Sequence, residues 1–208
     1  MDIQRTGVFK EDGMATTKMR RELLALVALV AALAMSVTLS GCGPSDEDAI
    51  KQALDDEMSI IVNPTDETIS MLADEASSGA GGTLETMDID SGELVRSWID
   101  GFGYEVGTIS VDGETATAEV TITCKQLGPI MMDWQSDFEA NATSQGFTSM
   151  SEIYDYAGQT IMEKIASASP TETTVTFEFE KDGSNWAFPQ STANESALMD
   201  AMIGDYTL

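Results

Sequence analysis

The sequence predicts an α+β domain, a curved antiparallel sheet of about four strands in two hairpins with helices packed on one face. Alternating apolar and polar residues on either side of Asp-Gly pairs at 112–113 and 182–183 indicate the two hairpins. Segments with apolar residues at helical spacing stand before, between and after them. Because helices and hairpins are grouped rather than alternating one by one, this order favours an α+β domain over a parallel α/β fold.

Three helices are predicted ahead of the sheet. Ser45 is a suitable N-cap for the first, because the acidic residues after it suit a helix N-terminus, and the helical pattern runs to Asn63-Pro64. Thr65 is the predicted cap of the second helix, which ends near residues 78–79. The segment GAGGTLETMDIDSG is predicted to be a loop. The third helix is short and carries Leu94, Val95, Trp98, Ile99 and Phe102.

The strands are the clearest pattern in the chain. In TATAEVTITC the even positions from Ala116 to Cys124 are apolar and face inward, while threonine and glutamate face outward. In the preceding strand the apolar residues change from even-numbered to odd-numbered positions near Gly107, which predicts a β-bulge there. The second hairpin repeats the scheme with inward residues Val175, Phe177 and Phe179, followed by Trp186 and Phe188 on the return strand.

Further helices are predicted between and after the hairpins. The first of the pair between them carries Met131, Trp134 and Phe138 on one face. The second is predicted to begin at Ser149, with Glu152 completing a capping box. The last helix of the chain is predicted to be capped by Thr192 with Glu195, and to bury Leu198, Met199, Met202 and Ile203.

The N-terminal residues have the features of an export signal. A cluster of Lys and Arg at 18–21 precedes residues 23–37, which carry no charge. This run is shorter than the roughly 20 residues that a spanning helix needs, so it is typical of a signal peptide that a peptidase removes. It is followed by LSGC at 39–42, which resembles the lipobox of bacterial lipoproteins and implies that the Cys42 thiol receives a diacylglycerol. A signal anchor with an incidental cysteine is the alternative.

The predicted organisation has three parts: a signal peptide at 1–41, a lipidated cysteine with a short tether at 42–45, and a single α+β domain at 46–208. Two acyl chains anchor a protein stably where one chain would be marginal. The expected location is the extracytoplasmic face of the cell membrane, which the chain contacts through the lipid on Cys42. Because the tether is short, the domain is expected to lie close to the membrane.

The charge balance restricts the partners. The chain has 36 acidic and 10 basic residues, a net charge of −26. Removing residues 1–41 takes away four acids and five bases, which leaves 32 acids against 5 bases and a net charge of −27. Such a field repels phosphate backbones, so nucleic acid is excluded as a partner. Cationic partners are compatible with it, although high negative charge also serves solubility alone.

Two residue types restrict catalysis. The chain has no histidine, which excludes Ser-His-Asp and Cys-His mechanisms and imidazole zinc sites. It has two cysteines, and with Cys42 lipidated only Cys124 is left, so no intramolecular disulfide is expected. The inward phase of Cys124 in its strand predicts a buried thiol without a nucleophilic role. We therefore expect no enzymatic activity and no cofactor.

Two polar clusters are weaker candidates. DIDSGE at 88–93 has acids around a glycine, as in a calcium loop, but the glycine comes one position early and the later bidentate glutamate is missing. It is interpreted as an acidic turn, and no metal site is predicted. An acid–base site is conceivable from Tyr104, Tyr154, Asp155 and Tyr156. Without histidine its pKa tuning would depend on a buried carboxylate, and no acid lies on an inward strand position of either hairpin.

The chain combines a lipobox, an amphipathic first helix, a short terminal helix and the strand pairs ISVDGETATAEVTIT and VTFEFEKDGSNWAF. Together these features resemble Gram-positive lipoproteins of the nuclear transport factor 2-like (cystatin-like) superfold. The resemblance covers most of residues 46–204 and implies a cystatin-like sheet. The motifs that carry the resemblance reflect the residues needed in turns and in the core, so the resemblance implies no functional residues. The fold is found in enzymes and in binding modules alike.

We expect the domain to bind rather than to catalyse. A curved sheet covered by helices tends to leave a concave apolar space, and the helical insertion at 130–168 has no evident need in a minimal core. The prediction is a cavity between sheet and insertion for a small apolar or peptide ligand. Its candidate lining residues are Trp98, Tyr104, Met131, Trp134, Phe138, Met150 and Phe177. Two alternatives stay open: these residues form plain core, or the protein is an envelope interaction or scaffold protein that binds an envelope protein through its acidic surface.

Overall fold

The computed structural model describes residues 45–189 and 191–204, which form seven helices and four strands. The helices are α1 (Asp46–Val62), α2 (Asp66–Ala80), α3 (Thr83–Thr86), α4 (Ser91–Ile99), α5 (Leu127–Ala142), α6 (Met150–Ser167) and α7 (Thr192–Ile203). The strands are β1 (Gly103–Asp112), β2 (Thr115–Cys124), β3 (Thr171–Asp182) and β4 (Asn185–Ala187). The predicted signal peptide and its lipidation site Cys42 lie outside the described residues. None of the helices in the described ranges combines the length and the hydrophobicity that a bilayer crossing needs.

The strands form one open antiparallel sheet in the order β1-β2-β3-β4. Both hairpin turns lie at the same end, because Thr115 at the start of β2 pairs with Glu180 near the end of β3. We call this the turn end. The opposite end, the helix end, is where Gly103 begins β1, Cys124 ends β2 and Thr171 begins β3. The ten residues of β2 separate the two ends by roughly 30 Å.

The predicted α+β class with two hairpins is confirmed. The predicted bulge near Gly107 is also confirmed, because the register between β1 and β2 shifts between Val106 and Ile109. Threonine and glutamate side chains on the outer face are mostly exposed. The inner face is buried and carries Ala116, Ala118, Val120, Ile122, Cys124, Phe177, Phe179 and Trp186. The helices of the described ranges therefore cover the inner face.

Helix α1 crosses the inner face and is held at two points. At the turn end, the Asp46 carboxylate accepts hydrogen bonds from the Trp186 indole N–H and the Lys181 ammonium, each 2.9 Å long. Toward the helix end, the Tyr104 hydroxyl on β1 donates to the Asp55 carboxylate at 2.6 Å. The first turn of α1 is thereby fixed to the β3–β4 hairpin. The buried apolar residues of the helix are Ile50, Leu54, Met58 and Ile61.

Helix α7 covers the part of β3 that the short strand β4 does not reach. Its Asn194 side chain is 1% exposed, accepts a hydrogen bond from the Glu178 N–H at 2.7 Å and donates to the Glu178 carbonyl at 2.9 Å. The same amide donates to the Pro189 carbonyl at 3.0 Å. One side chain therefore supplies the hydrogen bonds that a neighbouring strand would make.

Two details around α3 and α7 differ from expectation. The predicted loop after α2 contains the single-turn helix α3, in which the Thr86 hydroxyl donates to the Gly82 carbonyl. The glycines that precede it hide this turn in the sequence. The N-cap of α7 is Ser191 rather than Thr192, because the Ser191 hydroxyl accepts the N–H of Asn194. With this cap, the Asn194 side chain faces β3.

The start of α6 agrees with expectation in part. Ser149 is the N-cap, and its hydroxyl accepts the Glu152 N–H. The predicted capping box is wrong, because the Glu152 carboxylate accepts the Thr148 N–H instead of the Ser149 N–H. The carboxylate therefore fixes the residue before the cap.

We expect Asn194→Ala to lower the free energy of unfolding by about 2–4 kcal/mol, because it leaves backbone groups beneath α7 without partners. Urea unfolding of the two proteins measures the difference. Asn141→Ala is the control, since Asn141 is exposed on α5 and its loss should cost no more than about 0.5 kcal/mol. Equal costs for the two variants would contradict the role given to Asn194.

One buried side chain in α1 has an unsatisfied atom. Glu57 is 5% exposed, and its Oε1 has no hydrogen-bond partner among the described residues. Burial raises the pKa of the Glu57 carboxyl from 4.5 to about 7, because the charged form is poorly solvated there. Between these two pH values the folded protein holds a proton that the unfolded chain has released.

The contribution of this proton to the free energy of unfolding is fully present below about pH 4.5. It is lost as the pH rises to about 7, which lowers the free energy of unfolding by about 3 kcal/mol. The Gln side chain of Glu57→Gln cannot ionise. When the pH is raised from 4 to 8, we therefore expect the free energy of unfolding of this variant to increase by about that amount relative to that of the wild type. Urea unfolding at both pH values measures the gap. Glu47→Gln, at an exposed position of α1, should show the same gap at both. A pH-independent gap for Glu57→Gln would refute the raised pKa.

Candidate functional site

A groove opens between α5 and α6, with a volume of about 320 Å³. This volume is at the lower end of the range typical of small-ligand sites. We call it the helix-pair groove and define it by six of its lining residues: Trp134, Asp137, Phe138, Tyr156, Glu163 and Lys164. Aromatic and charged side chains therefore share one surface.

The helical repeat explains why these side chains converge. On each helix the lining residues recur at spacings of three or four, so they share one face. Ile130 on α5 and Ile161 and Ile165 on α6 are buried and join the core. The two helices thus pack through an apolar seam on one side and open the groove on the other.

Three rings that line the groove and a fourth that packs on one of them form a chain of contacts, which we call the aromatic cluster: Trp134, Phe138, Tyr156 and Phe147. Ring centroids lie 5.4 Å apart for Trp134 and Phe138, 5.9 Å for Phe138 and Tyr156, and 5.3 Å for Phe147 and Tyr156. These are favourable distances for tilted aromatic pairs. All four side chains are only partly buried, so the rings stabilise one another and still meet solvent.

Hydrogen bonds hold the polar groups of the groove in place. The Trp134 indole N–H donates to the Thr160 hydroxyl at 3.0 Å, and that hydroxyl donates to the Tyr156 carbonyl at 2.8 Å. The Lys164 ammonium lies 2.7 Å from the Asp137 carboxylate. The hydrogen bond from Lys164 to Asp137 raises the pKa of the ammonium, which keeps it charged. The indole N–H of Trp134 and the ammonium of Lys164 therefore both have partners within the protein.

A close backbone contact sets the position of α6. At Gly158 the helix passes so near the turn after α3 that a Cβ would overlap the Met87 carbonyl oxygen. Gly158 is therefore required for close approach rather than for backbone freedom.

The structure brings some of the predicted lining residues together. Trp134 and Phe138 line the helix-pair groove. Met131 is half-buried and packs against the core, and Met150 is 60% exposed in the first turn of α6. Two helix residues predicted for the site therefore reach it, and two do not.

The predicted lining residues outside the helix pair lie elsewhere. Trp98 is 6% exposed and donates its indole N–H to the Lys125 carbonyl at 3.0 Å, and Phe177 is completely buried on β3. Tyr104 is paired with Asp55 on α1. These residues belong to the core and to the contact between α1 and the sheet.

The described groove does not lie at the position predicted for the cavity. The inner face of the sheet is covered by α1 and α7, whereas α5 and α6 pack on each other and on α3, α4 and α7. The described groove opens between the two helices of the insertion. Sequence reasoning missed Thr160 and Lys164 as groove residues, although their spacing from Tyr156 along α6 was the available signal.

Cys124 is buried, as its strand phase predicts. It is 2% exposed, and its Sγ donates to the Ala201 carbonyl at 3.3 Å. Burial raises the pKa of the Cys124 thiol to about 11, because the thiolate would be poorly solvated. The thiol is thus protonated at neutral pH and unsuited to nucleophilic chemistry.

Comparison with known proteins does not identify a family for the chain. It matches no protein-family model and no curated protein. Among solved structures, it is similar to the crystal structure of a Bacillus subtilis protein described as a "putative lipoprotein (ycdA)", with a TM-score of 0.46 and 17% sequence identity. The similarity covers 94% of this chain and 60% of that chain, so this chain spans less than two thirds of that protein's length.

We expect Gly158→Ala to push α6 away from the Met87 carbonyl and to lower the free energy of unfolding by about 2 kcal/mol or more, as overpacking does. Urea unfolding measures the loss, and Trp134 emission should report the displaced groove. Gln159→Ala, at the exposed neighbouring position, is the control and should change stability by less than about 0.5 kcal/mol. Unchanged stability of Gly158→Ala would show that the contact is not tight.

Proposed function

We propose that the mature protein is a lipid-anchored extracytoplasmic binding module, without catalytic activity, that holds a small apolar or peptide ligand in the helix-pair groove. The aromatic cluster is the observation that carries the proposal. The rings of Trp134, Phe138 and Tyr156 are fixed by their contacts with one another, yet remain partly exposed in a concave surface. Rigid, half-exposed aromatic side chains offer a large contact area at little cost in conformational entropy.

The placement of the helix pair supports a role beyond packing. Helices α1 and α7 pack directly on the sheet, whereas α5 and α6 pack mainly on each other and on α3, α4 and α7. Their seam contributes Ile130, Ile161 and Ile165 to the core, while the opposite side carries the groove. A helical insertion that presents aromatic side chains in this way is consistent with a binding element.

The topology supports a groove that faces away from the membrane. Asp46 binds the β3–β4 hairpin at the turn end, and Cys42 stands only four residues before it, within roughly 14 Å of extended chain. The helix pair leaves the sheet after Cys124 and rejoins it at Thr171, both at the helix end. With a lipid on Cys42, the turn end would lie near the bilayer and the groove at the far end of the domain.

The chemistry of the described residues supports binding without catalysis. The Cys124 thiol is buried and protonated. Of the tyrosines considered for an acid–base site, Tyr104 is bonded to Asp55, and burial together with that carboxylate raises the pKa of its hydroxyl. Tyr154 is exposed on α6 and does not line the groove, whereas Tyr156 does. These residues are therefore not assembled around one reacting centre.

Native mass spectrometry of the lipidated full chain, extracted from membranes of its own host, tests the function. We expect a small molecule or peptide to be retained by the wild type and lost from Tyr156→Ala, which removes a groove ring. Tyr154→Ala is the matched control, because it is the same substitution two residues away at an exposed site outside the groove. Absence of a retained molecule on the wild type, or equal loss from both variants, would contradict binding at the groove.

Quenching by lipids tests the orientation. In vesicles that contain doxyl-labelled lipid, the lipidated chain with Trp186 as its single tryptophan should be quenched, because Trp186 lies at the turn end beside Asp46. The variant that keeps Trp134 alone should be quenched much less. A Cys42→Ala form of each variant is the control and should lose the quenching with the anchor. Stronger quenching of Trp134 than of Trp186 would reverse the proposed orientation.

A further inference from the structure

We propose that the ligand of the helix-pair groove is a basic peptide segment of a partner protein, with a lysine or arginine side chain over the aromatic cluster. This inference rests on the proposed binding function and specifies its ligand. Three properties of the groove support it: the available ring faces, the surrounding charge and the length of the groove.

The aromatic cluster offers π faces, with the Tyr156 hydroxyl as a further polar group. The Trp134 indole N–H is already bonded to Thr160. Ring faces carry a negative electrostatic potential, so their natural polar partner is a cation. The same contact occurs within the protein, where the Lys181 ammonium lies 5.2 Å from the centre of the Trp186 ring.

The charge around the groove favours the same partner. Helices α5 and α6 carry six carboxylates and one lysine. That lysine, Lys164, is paired with Asp137 at 2.7 Å, which cancels its charge locally. Glu163 in the groove accepts a hydrogen bond from the neutral amide of Gln159 and forms no ion pair with the residues that the structure describes. A cation would therefore gain attraction to both rings and carboxylate, whereas an anionic ligand would be repelled.

The shape of the groove favours a peptide over a small ammonium ion. On α6 the groove runs from Tyr156 to Ser167, which is roughly 16 Å along the helix. An extended peptide of about five residues spans this distance. A small ammonium ion would occupy the aromatic cluster and leave the rest of the groove empty.

Titration of the full chain in detergent micelles, labelled with ¹⁵N-tryptophan, tests the inference at physiological ionic strength. The probe is acetyl-Gly-Lys-Ala-Lys-Gly-amide, and its partner is the same peptide with both lysines Nε-acetylated. We expect the lysine peptide to shift the indole signal of Trp134 and to leave those of Trp98 and Trp186 in place. The acetylated peptide should bind at least about tenfold more weakly.

Two pairs of variants separate the groove from the acidic surface in general. Tyr156→Ala and Glu163→Gln should each weaken binding of the lysine peptide at least about fivefold. The controls Tyr154→Ala and Asp155→Asn make similar changes at exposed positions of α6 outside the groove and should change the affinity less than about twofold. Unshifted Trp98 and Trp186 signals in each variant show that the core and the turn end are intact.

Each other outcome overturns the inference. If the two peptides bound equally well, the groove would still be a binding site, but positive charge on the ligand would not be required. Equal losses from Glu163→Gln and Asp155→Asn would assign the attraction to the whole acidic surface. Binding of tetramethylammonium as tight as that of the peptide would point to a small organic cation. Absence of binding by either peptide would reject a basic segment, while the proposed function would still be decided by the molecule retained in native mass spectrometry.

Discussion

The unbroken pairing of β2 with β3 determines the layout of the domain. Ten residue pairs run without a shift from Thr115 with Glu180 to Cys124 with Thr171. A slip of one residue would turn Phe177 outward and bring Glu178 into the core, so the register is strongly specified. This register places both hairpin turns at one end of the sheet and both junctions of the helix pair at the other. The separation of the Asp46 contact from the junctions of the helix pair follows from it.

The buried polar groups differ in how well they are satisfied. The Asn194 amide makes three hydrogen bonds to backbone groups, and the Lys125 ammonium lies 2.8 Å from the Ser97 carbonyl and 3.6 Å from the Asp100 carboxylate. Both therefore fix the geometry of neighbouring elements. Glu57, by contrast, is buried with an oxygen that lacks a partner among the described residues. Helix α1 is thus attached to the β3–β4 hairpin through Asp46, while its buried Glu57 carboxyl lowers the stability of the domain when it ionises.

The fold was more predictable from the sequence than the site. Some sequence patterns depend only on local backbone geometry, and these identified their elements correctly. They are the alternation in β2, the change of inward positions at Gly107 and the two Asp-Gly turns. The lining residues depend on which helix packs on which surface, and local periodicity does not contain that information. Trp98 and Phe177 show the difficulty, because a large apolar side chain on a helix or strand looks the same in sequence whether it fills the core or lines a groove. Tyr156 could be placed only once α5 and α6 were known to pack on each other.

The bulge that divides β1 also bears on how copies of the domain meet. Strand β1 is an edge of the sheet, with backbone groups that a second chain could pair with. The shift between Val106 and Ile109 breaks the regular spacing of those groups, and the exposed carboxylate of Glu105 stands beside the break. With the lipid proposed for Cys42, copies of the chain held in one membrane would collide far more often than the same molecules diluted in solution. An interrupted, charged edge would let such a crowded population stay separate instead of joining sheet to sheet.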